Sequence, residues 1–328
     1  MIAIFGVVAI HIGSPFLVHL DPRHPGAWWV GNVDFALTRW TVPVFVMISG
    51  ALAIDGQQRS LRGYYGRRLP RIVVPLVAWS LVYWAFRIVH DGEAASAAWF
   101  VKSVLTATTY GHLYFLAAIL GLAVITPVLA AFWNGATRGE QLVITFVALG
   151  LSLAIRGLQE FQMMGSVTLL DWWLPFLGYY LGGAFLRDVE LSSRRRLEVA
   201  ALFALSAALI AANAWLSRTT GSAISVGWTY SYFGPLAMIN ALAAFALLAG
   251  MRRVRIRTFV LRGLAALVLG IYLVNPILVA ILNDVIALPT AALPAAAYLV
   301  LATISVVAAS AILTSLGARI PRLRRALE

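Results

Sequence analysis

Ten stretches of this chain are apolar for about as long as a helix needs to cross a lipid bilayer, and this constrains its fold more than any other feature. The runs lie at about 1–20, 34–54, 70–90, 112–133, 141–157, 167–186, 197–216, 231–250, 259–283 and 293–316. At about 1.5 Å rise per residue, about twenty residues span a ~30 Å hydrocarbon core. The runs are continuous rather than alternating, so a strand barrel is not expected. A soluble chain of 328 residues needs polar groups to cover its surface. Here 12% of residues are charged and 61% hydrophobic, with a mean hydropathy of +0.87, which excludes a soluble enzyme, a disordered chain and a secreted disulfide scaffold. With no internal repeat and no long linker, the expectation is an all-α polytopic membrane protein. It would form a single integral-membrane domain over 1–328, with about ten transmembrane helices.

The charge pattern orients those helices. Net charge is +12 and pI is about 10.7, and Lys102 is the one basic residue that is not arginine. Nineteen basic residues fall in alternate loops and the tail: Arg59 to Arg71, Arg138, Arg187 to Arg196, Arg252 to Arg262, and Arg319 to Arg325. The opposite loops hold six: Arg23, Arg39, Arg87, Lys102, Arg156 and Arg218. By the positive-inside rule both termini are expected in the cytoplasm, with membrane lipid as a partner. No base-reading motif is present, so nucleic acid is not expected as a partner. The absence of cysteine removes disulfides, thiolate metal sites, thiol nucleophiles and cysteine-linked lipid anchors.

Tryptophans are expected to mark the boundaries. Trp28, Trp29 and Trp40 flank the outer end of the second run, and Trp172 and Trp173 that of the sixth, as an interfacial belt would. The chain opens MIAIFGVVAIH, with no basic residue before the apolar run and no A-x-A pattern after it. A cleaved signal peptide is therefore not expected, and the missing basic flank suggests a native start upstream of Met1.

Several residues are candidates for chemistry. His11 lies about 15 Å along the first helix, near mid-membrane, where an ionisable group is costly. It suits either a general base or a structural hydrogen bond between helices. In GYYGRRLPRIVVP, Arg67 or Arg68 lies one helical turn from Arg71, at the cytoplasmic mouth of the third run. Guanidinium forks there match phosphate geometry, and topology signalling would equally account for them. Pro70 suits a helix start and Pro75 a local break. Arg39 enters TRWTVPVFVMISGALAI near the outer face, where it could pair with Asp34 or meet a polar substrate. Ser49-Gly50 in the same run suits close helix packing. It is not a nucleophile elbow, since Met47 stands where the first glycine of G-x-S-x-G belongs. His112 and Tyr114 open the fourth run from the outer side. Asn275 precedes Pro276 in the ninth, where it suits capping a carbonyl freed by the proline or binding substrate. In the sixth run Asp171 lies near the outer face, and Gly178, Gly182 and Gly183 allow close packing.

Some chemistries leave no trace. No His is followed by the H-x-x-x-x-D pattern of soluble glycerolipid-type acyltransferases, and there is no H-E-x-x-H, Walker loop or G-x-G-x-x-G. No metal set is expected. The apolar centres hold essentially no carboxylates of the kind ion pumping favours.

In order along the chain, IAIFGVVAIHIGSPFL, VPVFVMISGALAI, RRLPRIVVPLVAWSLVYW, HLYFLAAILGLAVITP, WLPFLGYYLGG and LGIYLVNPILV resemble the acyltransferase-3 family of bacterial integral-membrane O-acyltransferases. HIGSPF and PVFVMISG look most like members that acetylate surface glycans. The extracytoplasmic hydrolase-like domain fused to some members is not expected. The resemblance implies a multi-pass protein of the bacterial inner membrane. Such a protein transfers an acyl group, commonly acetyl, from cytoplasmic acyl-CoA to a hydroxyl of an extracytoplasmic or lipid-linked glycan. It implies acetyl-CoA as co-substrate and no permanently bound cofactor. It assigns the catalytic base to His11 and contact with CoA phosphates to Arg67, Arg68 and Arg71, leaving Arg39, His112, Tyr114 and Asn275 as acceptor-binding candidates. Two departures stand out. The family's arginine about three helical turns before the helix-1 histidine would fall just before Met1. In the family's Y-L-x-H-P, Asn275 replaces the histidine; asparagine keeps hydrogen bonding but cannot act as a base. The competing class is a transporter or flippase for a glycan or anionic molecule, with Arg39 and Asp171 lining its route.

Overall fold

A computed structural model describes the chain except residues 1, 22–25, 55–59, 95, 107, 162–171, 222–224, 251–257, 321–325 and 328; of 258–266 it describes the backbone alone. Asp171, Arg23, Arg59, the side chain of Arg262 and the arginines of 252–257 and 322–325 lie outside the described residues. Among the described residues there are helices and turns but no strand. In chain order the helices are α1 (Ile2–His19), α2 (Gly26–Thr38), α3 (Thr41–Ala53), α4 (Leu61–Arg68), α5 (Pro70–His90), α6 (Ala97–Leu105) and α7 (Tyr114–Gly135). Next come α8 (Arg138–Glu160), a 3-10 turn (Leu174–Phe176), α9 (Leu177–Leu186), α10 (Ser193–Thr220), α11 (Val226–Thr229), α12 (Pro235–Ala249), α13 (Thr258–Val285) and α14 (Ala292–Ala318).

Each of the ten apolar runs contains helix. Among the described residues, eight spans are long and apolar enough to cross a membrane, and Leu174–Leu186 and Pro235–Ala249 are shorter apolar helices. The chain is a polytopic, all-helical membrane protein. The second run differs from its expected bounds. Its helix starts at Gly26 and breaks at Arg39-Trp40, ahead of Pro43, which has no N–H to bond the Arg39 carbonyl. This corrects the role of Trp28. It is 1% exposed, packed with Ile210, Ala211 and Tyr230, because the longer α2 carries it among other helices rather than into an interfacial belt.

The chain forms two compact units: Met1–Phe45 with Leu186–Gly317, and Val46–Phe185 with Ala318–Glu328. In the first, Ile4, Val7, Val8 and Ile12 of α1 pack with Ile271 and Val279 of α13 and Ala302 and Val306 of α14. A second core joins Leu17, Trp28 and Ala36 to Ile210, Ala214 and Ala237. Gly31 lets α2 close on α1, since a Cβ there would lie 2.7 Å from Phe16 Cβ and 3.1 Å from the Gly13 carbonyl.

In the second unit, small residues set the packing. A Cβ on Gly50 would strike the Tyr180 carbonyl, and one on Gly183 the Met47 carbonyl, so α3 and α9 meet backbone to backbone. A Cβ on Gly178 would lie 2.7 Å from the Leu149 nitrogen of α8. The close packing expected at Ser49-Gly50 and along the sixth run is present at Gly50, Gly178 and Gly183. Thr137 and Glu140 form a reciprocal capping box that starts α8.

Candidate functional site

In the first unit, α1 carries His11 half-buried. Pro15, four residues on, has no N–H, so the His11 carbonyl lacks its usual helical donor. Arg39, in the break between α2 and α3, is close enough for its charge to act on His11.

Arg39 is 6% exposed and held on several sides. Its Nη1 donates to the Tyr230 carbonyl at 3.0 Å. The guanidinium carbon lies 4.3 Å from the centre of the Phe35 ring, 5.0 Å from Tyr232 and 5.8 Å from Tyr230, within cation–π range. Tyr230 Oη in turn donates to Asn32 Oδ1 at 2.6 Å, and Asn32 Nδ2 donates to the Ala211 carbonyl at 3.0 Å. A chain of buried polar groups therefore ties α2 to α10 and to the residue after α11, and fixes where Arg39 points.

The described contacts of Arg39 include no ion pair with Asp34. The Asp34 carboxylate is 8% exposed and lies over Gly13 of α1, where a Cβ would come 2.5 Å from its Oδ2. Among the described residues, Asp34 Oδ2 and Arg39 Nε have no hydrogen-bond partner. Unsatisfied buried polar atoms are costly, which makes this a place for a polar ligand group or water.

Asn275, fully buried in α13, donates from Nδ2 to the carbonyls of Tyr272 and Ile271, each at 2.9 Å. Tyr272 is four residues before Pro276 and so lacks its helical donor. Asn275 therefore satisfies a carbonyl freed by the proline. Its Oδ1 has no hydrogen-bond partner among the described residues.

In the second unit, Ser60 caps α4 by accepting from Gly63 N at 3.1 Å. Arg67 and Arg68 end this helix, and Arg71 follows in the first turn of α5, with Pro70 at its start. Arg67 and Arg71 are exposed and Arg68 is half-buried. Arg67 folds back so that a Cβ on Gly63 would lie 3.3 Å from Nη1. Arg68 and Tyr64 both act electrostatically on Tyr180 of α9, whose hydroxyl shares a 2.7 Å hydrogen bond with Thr126 of α7.

His112 and Tyr114, also in the second unit, turn to different neighbours. His112 is 5% exposed and meets the Tyr83 ring edge-on at 4.8 Å and the Tyr110 ring at 5.7 Å. Tyr83 and Tyr110 stack on each other at 4.3 Å. Burial pushes the Tyr110 phenol up, as does the Asp91 carboxylate, against the opposing charge of Arg87. Tyr114 stacks on Trp172 at 5.2 Å and on Phe176 at 6.3 Å. Arg87 pairs with Glu93 and lies 4.8 Å from the centre of the Trp99 ring.

The structure thus brings His11 and Arg39 within charge range and gathers Arg67, Arg68 and Arg71 around the α4–α5 junction. Sequence reasoning missed Asn32, Phe35 and Tyr230 around Arg39, Tyr83 and Tyr110 around His112, and Tyr64, Thr126 and Tyr180 near Arg68. Pro127 was a usable signal for Tyr64, because a proline inside a membrane helix requires an outside donor. Among the described residues, no group of three or more His, Asp or Glu is gathered as a metal would need.

The family model described as an acyltransferase domain, acyltransferase-3, matches residues 1–315, across both units. No curated protein and no solved structure matches the chain. With nearly its whole length covered, in a fold of membrane-length helices, the chain belongs to the acyltransferase-3 family and is a multi-pass membrane acyltransferase.

Proposed function

We propose that the protein transfers an acetyl group from cytoplasmic acetyl-CoA to a hydroxyl of an extracytoplasmic or lipid-linked glycan in the bacterial inner membrane. The observation that carries this reading is His11, a half-buried imidazole inside a membrane-length helix, within charge range of Arg39. A neutral imidazole is the form that accepts a proton. The acceptor hydroxyl gives its proton to His11 as its oxygen attacks the thioester carbonyl. The C–O bond forms, the C–S bond breaks, and the CoA thiolate leaves and is reprotonated. Such proton transfer contributes roughly 10²–10⁴-fold.

Arg67, Arg68 and Arg71 hold the donor, since guanidinium groups at a helix junction, exposed at Arg67 and Arg71 and half-buried at Arg68, suit the CoA phosphates. Arg39, with the unpartnered Asp34 oxygen near it in sequence, His112, Tyr114 and Asn275 supply groups for the acceptor. Aromatic walls beside polar groups, as around Arg39 and His112, suit a sugar ring with its hydroxyls.

The test uses the full chain in lipid nanodiscs, with labelled acetyl-CoA as donor and bacterial membrane glycans as acceptor. His11→Ala keeps CoA binding and loses label transfer. Free CoA is read by a thiol reagent without background, because the protein has no cysteine. Transfer by His11→Ala at the wild-type rate sinks the assignment of the base, and failure of the wild type to bind CoA sinks the donor.

A further inference from the structure

We propose that Tyr64 and Tyr65 are positioning residues for the donor: they anchor the arginine-bearing helix α4 to backbone carbonyls of α7 at the Pro127 break. This rests on the reading of Arg67 and Arg68 as donor-binding residues. Pro127 lies inside α7 and has no N–H, so the Ala123 carbonyl, four residues earlier, has lost its helical donor. Tyr64 Oη donates to that carbonyl at 3.0 Å, and Tyr65 Oη donates to the next one, Val124, at 2.8 Å.

Consecutive tyrosines thus bind consecutive carbonyls, with their rings edge to face at 5.3 Å. In a membrane helix a carbonyl without a donor is costly, and neighbouring side chains make it good. Here the neighbour is α4, whose own packing is thin. It has no buried residue, and it is joined to α5 through Leu69, whose backbone is helical and whose N–H donates to the Tyr65 carbonyl at 3.1 Å. The two hydroxyls therefore tie the α4 end of this continuous helix to α7.

Arg67 and Arg68 lie in the next turn of the same helix. Thr126, beside Pro127, extends the contact by sharing a hydrogen bond with Tyr180, which lies within charge range of Arg68. The proline break in α7 is therefore a docking point that sets where the donor arginines stand.

The experiment measures CoA binding by calorimetry and the acetyl-CoA KM for the full chain in nanodiscs. Its variants are Tyr64→Phe, Pro127→Ala, the two together, and Arg68→Ala. Losing one such hydrogen bond is expected to weaken CoA binding about 5-fold, raising KM and leaving kcat largely unchanged. Pro127→Ala restores an N–H that reclaims the Ala123 carbonyl, so it takes away Tyr64's acceptor while leaving the tyrosine intact. The double variant then binds CoA no more weakly than Pro127→Ala alone.

A Tyr64→Phe protein that binds CoA like wild type, while Arg68→Ala binds it weakly, overturns the proposal. So do losses that multiply in the double variant, because the hydroxyl would then not act through that carbonyl. If Arg68→Ala itself leaves CoA binding intact, the donor reading has failed, and the positioning role falls with it.

Discussion

Gly183→Ala probes the backbone contact of α9 with α3, and the structure sets its magnitude. The added methyl would fall on the carbonyl oxygen, carbonyl carbon and Cα of Met47, all of them backbone atoms. No change of rotamer can clear them, so the helices must part by more than about 1 Å to regain ordinary carbon contacts. Overpacking of this kind costs about 3 kcal/mol at its upper end. Alanine returns about 1 kcal/mol through its better helix propensity, leaving a net loss of about 2 kcal/mol. Two companions calibrate the measurement. A Cβ on Gly178 meets Leu149 N at 2.7 Å and Cα at 2.8 Å, a lesser clash that predicts a smaller loss. Gly150, in the interior of α8, has nothing within 4 Å of its Cβ position, so Gly150→Ala gains about 0.5–1 kcal/mol. Thermal unfolding in a single detergent reads the order: Gly150→Ala above wild type, Gly178→Ala below it, and Gly183→Ala lowest. A Gly183→Ala protein as heat-stable as wild type refutes the backbone contact. An equal fall for Gly150→Ala refutes the use of Cβ clearance.

Two further outcomes follow from the buried polar groups. Tyr230→Phe removes the hydroxyl that donates to Asn32 but keeps the carbonyl that accepts from Arg39. It is expected to lower stability by about 1–2 kcal/mol and to raise the acceptor KM by loosening the chain that fixes Arg39, and melting and KM both unchanged from wild type would count against that chain. Asn275→Leu removes the side-chain donor to the Tyr272 carbonyl beside Pro276. It is expected to cost about 1–3 kcal/mol, and melting unchanged from wild type would show that the cap is not needed.

Much of the site depends on contacts with no sequence period. Tyr230 is distant in sequence from both Asn32 and Arg39, yet it receives the guanidinium at its carbonyl and gives its hydroxyl to the amide. Tyr64 and Ala123 likewise belong to different helices. Trp28 misled because tryptophan serves a lipid interface and a packed core equally well, and only the extent of α2 separates the two.

By itself the sequence determined that this chain is a bundle of membrane helices. The lipid core has no water to satisfy a backbone, so a continuous apolar run about twenty residues long must form its hydrogen bonds internally. It also determined where those helices are weakened, because Pro15, Pro127 and Pro276 lack an N–H wherever they fall. The ordered segments carried the family, which the match over residues 1–315 bears out. Where the satisfying group lies in the same helix it was legible too, as with Asn275 before Pro276. Where it comes from another helix, as Tyr64 does for the Ala123 carbonyl, the tertiary structure decided it. Apolar periodicity turns a helix face toward its neighbours, but the side chain that arrives there depends on how closely the helices approach. Here that approach was set by glycines at Gly13, Gly50 and Gly183, whose missing side chains let backbone and carboxylate meet.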